Sequence, residues 1–403
     1  MKNRVLSINS TTRGSTGRIM RQISETARKD GFQSFIAFRR GVDFSREEAI
    51  RIGNQNTVRF HGLVTRMTGK HGFSSKKATR AFLKEIDKID PDLIHLHNVH
   101  GYYLNIELLF GYIKEKSIPV IWTLHDCWAF TGHCAHFDYI GCEKWISGCN
   151  NCPQIHAYPR SLLIDYSKKA YERKKKAFTG VEDLTIVTTT SWHKDLVARS
   201  FLGEYEVKVI HNGVDTDVFV PANVRKSEFG IYDDKFVVLG VAAKFTSNKG
   251  FKVFKELSAR IEDDTIIFLV GLDDKQIRQL PKNVRGVRST ESIQELAKIY
   301  SMADVFVNPS LQEVFGLVNA EALACGTPVV TFQAGGTVET VDDKSGFVVK
   351  RGDIDGLLRA IAVVKAKGKN TYVNSCRQRA MEHFMIKNMC KKYLSLYSMK
   401  LQK

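Results

Sequence analysis

The chain has 403 residues, 43% of them hydrophobic and 26% charged, the composition of a folded globular protein that is too long for one compact core. Its formal charge is +17, of which residues 1–200 hold +12, a field that favours anionic partners such as phosphorylated substrates, acidic membrane surfaces or nucleic acid. No apolar run approaches the ~18 residues of a membrane span, and MKNRVLSINS runs almost at once into a strand pattern with no room for a signal peptide, so the expected compartment is the cytoplasm.

In chain order, the first strand pattern is VLSIN (5–9), followed by NSTTRGSTGR (9–18). Gly14 and Gly17 allow close backbone approach, and the helix N-terminus behind them can receive a phosphate. The spacing is not the G-x-G-x-x-G of dinucleotide enzymes, and an ordinary strand-to-helix turn reads equally well. After SFIAF (34–38), the run LIHLHNVHGYYLN (93–105) places His97, Asn98 and His100 at a strand end. Histidines at strand spacing with no accompanying carboxylate do not suggest a metal. VIWTLHD then ends in His125-Asp126, again at a strand terminus, where open α/β sheets place functional groups. Next come Cys134, Cys142, Cys149 and Cys152, spaced C-x7-C-x6-C-x2-C in an irregular stretch. The last pair has the chelate spacing of structural zinc, and zinc, free thiols and disulfides all stay open. A catalytic zinc is disfavoured, because four thiolates leave no open position. The basic runs KKATR (76–80) and RKKK (173–176) lack the aromatic interleaving of nucleic-acid binders and read equally as solvated helix faces. TIVTTT (185–190) completes this series of strands.

A second series follows: VKVIH (207–211), FVVLGVAA (236–243), TIIFLVG (265–271), ADVFVNPS (303–310) and TPVVTF (327–332). Apolar, β-branched strands alternating with helices predict parallel sheets covered on both faces. Two such series predict an α/β protein of two Rossmann-like, doubly wound domains facing a cleft. The expected divisions are residues 1–205 with a cysteine-rich insertion over 127–154, residues 206–380, and a C-terminal helix over 381–403. Phe384, Met385, Met389, Tyr393 and Leu396 are its predicted buried stripe. Within the second half, VAAKFTSNKG (241–250) presents Lys244 and Lys249 after a strand. In ADVFVNPSLQEVFGLVNAEALACGTPVVTFQAGG (303–336), Glu313 occupies a loop, Gly316 opens a helix, and Glu321 lies further along it. The N–H groups of Gly316, Leu317 and Val318 are then helix-terminal donors suited to a diphosphate.

The 303–336 segment resembles the E-x7-E signature of the retaining family-four glycosyltransferases, with Glu313 and Glu321 in register. VAAKFTSNKG is similar to that family's G-R-L-x-x-x-K-G motif, although Lys244 stands where arginine is usual and Ala243 replaces the glycine. His211-Asn212-Gly213-Val214-Asp215 matches its interdomain segment, and the cysteine-bearing insertion resembles those of bacterial polysaccharide members. The resemblance implies the two-domain GT-B fold, with the C-terminal helix packing back on the first domain, and transfer of a hexose-type sugar, with retention, from a UDP- or GDP-sugar to a saccharide acceptor expected to be lipid-linked. It implies that Lys244, Lys249 and the amides at 316–318 hold the diphosphate, Glu313 the donor sugar and Glu321 the ribose. His125 is implied to contact the donor sugar, the Gly14–Gly17 loop to face donor and acceptor, and His97, Asn98 and His100 become candidates for the acceptor side. No cofactor is expected for catalysis, because Asp215-Thr216-Asp217 lies in the interdomain turn; structural zinc is the one metal expected. Expected partners are the nucleotide sugar, the saccharide or lipid-linked acceptor and an anionic membrane surface, with no nucleic acid. The rivals are a nucleotide-sugar epimerase of the same architecture and a basic nucleic-acid-binding protein.

Overall fold

The computed structural model describes residues 3–41 and 48–402. The chain forms two compact units, one running to Ile210 and resuming from Cys390, the other comprising His211–Met389. In the first, strands β1 (Arg4–Thr11), β2 (Gln33–Arg40), β3 (Ala49–Arg51), β4 (Leu93–Leu96), β5 (Val120–Leu124), β6 (Leu184–Thr188) and β7 (Glu206–Val209) form one parallel sheet in the order β3-β2-β1-β4-β5-β6-β7. In the second, β8 (Phe236–Val241), β9 (Thr265–Val270), β10 (Val284–Val287), β11 (Val305–Asn308), β12 (Val329–Phe332) and β13 (Gly346–Val349) form a parallel sheet in the order β10-β9-β8-β11-β12-β13. Central strands such as β4, β5 and β11 are buried along their whole length. That is why their sequences are continuous apolar runs and not alternations.

Two assignments from the sequence are corrected. VKVIH does not open the second series: β7 pairs in parallel with β6 and is the edge strand of the first sheet, with Val207 opposite Ile186. Its half-buried, partly charged residues suit an edge. The strands β3, β10 and β13 lie outside the two predicted series.

The expected C-terminal stripe is also revised. The last helix is Ile386–Leu401, preceded by a separate helix Val373–His383. The break is fastened by backbone hydrogen bonds from the Val214 N–H to Phe384 and from the Ile386 N–H to Val214 (2.7 and 2.9 Å). Phe384 therefore caps the earlier helix and packs edge-on against Phe315, while Met385 is only half-buried. Met389, Tyr393 and Leu396 are buried as expected, joined by Tyr397. The residues from Cys390 onward belong to the first unit, where the Tyr393 and Tyr397 hydroxyls bond Thr123 Oγ1 and His95 Nδ1 at 3.0 and 2.7 Å. Among the described residues no helix is long and apolar enough to cross a membrane.

Candidate active site

Open parallel sheets bind ligands beyond the carboxyl ends of the strands, where the strand order reverses. In the second unit the chain leaves β8 towards β9 and β10, then returns to build β11, β12 and β13 on the other side. The reversal lies between β8 and β11, and the two motif loops follow those strands. The loop after β8 anchors the buried Phe245 and forms a single turn at Ser247–Lys249. It lies directly against the loop after β11, with the Leu311 N–H donating to the Asn248 carbonyl at 2.8 Å. Gly250 permits that approach, since a Cβ there would sit 2.4 Å from Pro309 Cγ. The result brings together two residues 64 apart: Lys249 Nζ meets Glu313 Oε2 at 2.5 Å. Glu313 is further fixed through its carbonyl, which accepts from the Gly336 N–H at 3.1 Å. Lys244 is exposed on the same loop as Lys249.

Gly316, in the left-handed region at φ 86°, is the N-cap of the helix Leu317–Ala324 and has no side-chain cap. The N–H groups of Leu317 and Val318 stand in its first turn, the part of a helix without intrahelical partners for its donors. Their positive dipole end is available to an anion. Glu321 lies one turn further on and is 5% exposed, with Tyr300 donating to its Oε2 at 3.1 Å. A buried pair of amides stiffens this region: Asn308 at the end of β11 donates to Asn319, which donates to Thr340 (2.8 and 2.9 Å). The Asp215-Thr216-Asp217 turn is internally engaged, Asp215 accepting from the Asp217 N–H and Asp217 pairing with Lys387 at 2.7 Å.

In the first unit the order reverses between β1 and β4. Asn9, fully buried near the end of β1, accepts from the N–H groups of Ser10 in the same strand and of Asn98, and so ties the loop after β4 to β1. Gly14 opens the helix Gly14–Lys29; Gly17 packs so tightly that a Cβ would lie 2.4 Å from the Thr12 carbonyl carbon. His97 is 1% exposed and stacks on His125, Nδ1 to Nε2 at 3.0 Å. It therefore braces His125, which is half-buried. His100 bonds Asp126 Oδ2 at 2.8 Å and the Tyr158 hydroxyl at 3.1 Å, and Asn98 is half-buried beside it. Burial lowers His125 to about 4 against the opposing pull of Asp126, and His95 to about 3. Burial works to raise the Asp126 carboxyl, yet the charge and hydrogen bond of His100 hold it below the carboxylate range. His125 and His95, neutral at pH 7, act as hydrogen-bonding groups and not as cations.

Cys134, Cys142, Cys149 and Cys152 are unpaired thiols lining one small cavity in this unit. The nearby RKKK run is not a uniformly solvated face. Lys174 is 1% exposed, donating to the Trp128 and Thr131 carbonyls at 2.7 and 3.0 Å beneath the Trp128 ring. Asp126 was named only with His125 at its strand end, and sequence reasoning did not single out Asn9 or Tyr300. Asn9 had a signal in its place at the end of the first strand; Tyr300, in a helix, had none.

The glycosyl transferases group 1 model matches residues 236–365 and the glycosyltransferase family 4 model residues 16–218. The putative colanic acid biosynthesis glycosyl transferase WcaC of Escherichia coli (strain K12) is 24% identical over 318 residues, 76% of each chain. Seven further curated relatives are matched over 43–62% of their own length. Among solved structures, sucrose-phosphate synthase from Thermosynechococcus elongatus superposes with a TM-score of 0.76 at 19% identity, covering 99% of both chains. Anabaena Alr3699/HepE in complex with UDP-glucose gives 0.69 at 16% identity, covering 98% of this chain and 99% of that one. At these identities the structures attest the fold, which is that of GT-B glycosyltransferases.

Proposed function

Because the chain belongs to the family-4 glycosyltransferases, we propose that it moves a hexose-type sugar from a UDP- or GDP-sugar to a saccharide acceptor of cell-surface polysaccharide synthesis, with retention. The observation that carries this reading is the Lys249–Glu313 pair, 2.5 Å apart at the strand reversal of the second unit and beside the first turn of Leu317–Ala324. That arrangement offers a cation and helix N–H groups to a diphosphate, and a carboxylate to sugar hydroxyls. The colanic acid assignment of the WcaC relative and the UDP-glucose bound by HepE support the same reading.

In this mechanism Lys244, Lys249 and the amides of Gly316, Leu317 and Val318 offset the charge that grows on the leaving diphosphate, the largest electrostatic contribution. Glu313 orients the donor sugar, and Glu321, with one oxygen held by Tyr300, addresses the ribose. The acceptor oxygen forms a bond to the anomeric carbon on the face from which the phosphate oxygen departs, and that oxygen takes the acceptor proton. Neutral His125, braced by His97, hydrogen-bonds a sugar hydroxyl; Asn98 and His100 serve the acceptor side, and the Gly14–Gly17 loop faces donor and acceptor. Incubation with a panel of nucleotide sugars and saccharide acceptors, with the product anomer read by NMR, tests this. An inverted product refutes retention, and isomerised donor without transfer refutes the transferase reading.

The acceptor is assigned to an anionic membrane surface. The helix Gln55–Thr68 exposes Phe60, Leu63 and Met67 on one face, Phe60 to 63%. The adjoining loop exposes Leu162, Leu163 and Ile164, Leu163 to 67%, and is joined to the helix by a 2.7 Å bond from the Leu162 N–H to the Arg66 carbonyl. Arg59, Arg66, Lys70 and Arg160 are exposed around this patch. An apolar stripe rimmed by cations suits a helix lying in the plane of an anionic bilayer, which supports a lipid-linked acceptor.

A further inference from the structure

The segment between β5 and the helix Ser167–Phe178 has little regular structure, with short turns at Trp128–Phe130, Asp138–Ile140 and Lys144–Ser147. It nevertheless brings Cys134, Cys142, Cys149 and Cys152 to the wall of a single cavity of about 10 Å³, the space of one water-sized body. Cys149 accepts from the Gly132 N–H at 3.1 Å. Gly132 admits no side chain, since a Cβ would lie 2.6 Å from that of Cys149.

One further feature favours negative charge beside this cavity. Lys174 is fully buried, donates to the Trp128 and Thr131 carbonyls, and lies within electrostatic reach of Cys149, Cys134 and Asp126. Burying an ammonium is costly unless anions lie near, and thiolates at Cys149 and Cys134 would add to Asp126 in offsetting that cost.

We propose that Cys134, Cys142, Cys149 and Cys152 bind one structural zinc ion as thiolates, with Lys174 as the buried counter-charge. Zinc takes four sulfur ligands tetrahedrally at about 2.3 Å, and the C-x2-C pair Cys149/Cys152 forms the usual chelate. Among the described residues no three His, Cys, Asp or Glu form a ready metal cage, so binding requires the four thiol side chains to turn inward. Zinc displaces the thiol protons and draws the sulfurs towards it. A tetrathiolate has no open coordination position, so the ion fixes the loop and takes no part in transfer. The loop it fixes starts at Asp126, the partner of His100, and is closed by the Cys127 N–H to Ala135 bond at 2.9 Å.

The test is elemental analysis of full-length protein purified without chelator, paired with mass-spectrometric counting of alkylated thiols before and after a chelator. One zinc per chain, with four thiols protected until the chelator is added, is the expected result. Cys149→Ser with Cys152→Ser should abolish the zinc while Cys390→Ser keeps it. If the double variant does not fold, cobalt loading of chelator-treated native protein decides, tetrahedral thiolate absorption being expected. Zinc-free native protein with all four thiols freely alkylated overturns the proposal. So does a disulfide in the intact mass, or iron with visible charge-transfer absorption in place of zinc.

Discussion

Replacing Glu313 by glutamine removes one charge and almost no volume. In the resting protein it dissolves the 2.5 Å contact with Lys249, a pair that is partly exposed on both sides. Such pairs contribute only about 0–1 kcal/mol to stability, so the melting temperature should hardly move. Catalysis should respond differently. A hydrogen bond from a charged group contributes about 1.5–3 kcal/mol, and each ~1.4 kcal/mol is a factor of ten in rate. Losing one bond that tightens as the sugar ring flattens and gains positive charge should therefore cut kcat by roughly 10- to 150-fold, with little change in KM. Nucleotide diphosphate affinity should hold or rise, because Lys249 no longer has a carboxylate competing for its charge. The assay measures kcat and KM for the donor, with calorimetric titration of free nucleotide diphosphate, on Glu313→Gln and Glu321→Gln side by side. Glu321→Gln should weaken donor and free nucleotide together. It should also cost about 1–3 kcal/mol of stability, because it disturbs a buried carboxylate bonded to Tyr300. Full turnover in Glu313→Gln, or an equal loss of nucleotide affinity in both variants, refutes this division of roles.

Lys249→Ala should lower nucleotide diphosphate affinity by an order of magnitude or more while Lys244→Arg is tolerated; wild-type binding by Lys249→Ala in the same titration contradicts the phosphate role. Burial lowers His61 and His133 to about 4 and His95 and His193 to about 3, so between pH 6.5 and 4 the unfolded chain binds protons that the folded chain refuses. Each histidine then contributes stability that is complete above pH 6.5 and is lost on acidification at up to about 1.4 kcal/mol per pH unit; a urea midpoint that stays flat from pH 7 to 4.5 would rule this out. Leu63→Asp with Leu163→Asp should reduce sedimentation with anionic liposomes several-fold and leave activity on a soluble acceptor unchanged. Unchanged sedimentation, or loss of a dimer in place of lipid binding, shows that the apolar patch serves something other than a bilayer.

The strand runs and their alternation with helices are local properties, so two doubly wound domains were legible without coordinates. The same holds for the register of Glu313 with Glu321 and the place of Lys249 after a strand. What no local pattern carries is which residue meets which across long separations. The 64-residue span from Lys249 to Glu313 closes only because β8 and β11 are neighbours at the strand reversal. VKVIH reads alike at the end of one sheet or the start of another, and pairing with β6 decides the matter. Glu321 and Lys174 are both charged residues in helices, where sequence suggests solvent. Each is buried because its helix turns that position inward, onto the Tyr300 hydroxyl for one and onto two carbonyls and the Trp128 ring for the other. Cysteine spacing suggested a metal without showing that four thiols share a wall. Burial and long-range pairing are properties of the packed chain, and they decided the electrostatics of Glu321, Lys174 and the Lys249–Glu313 pair.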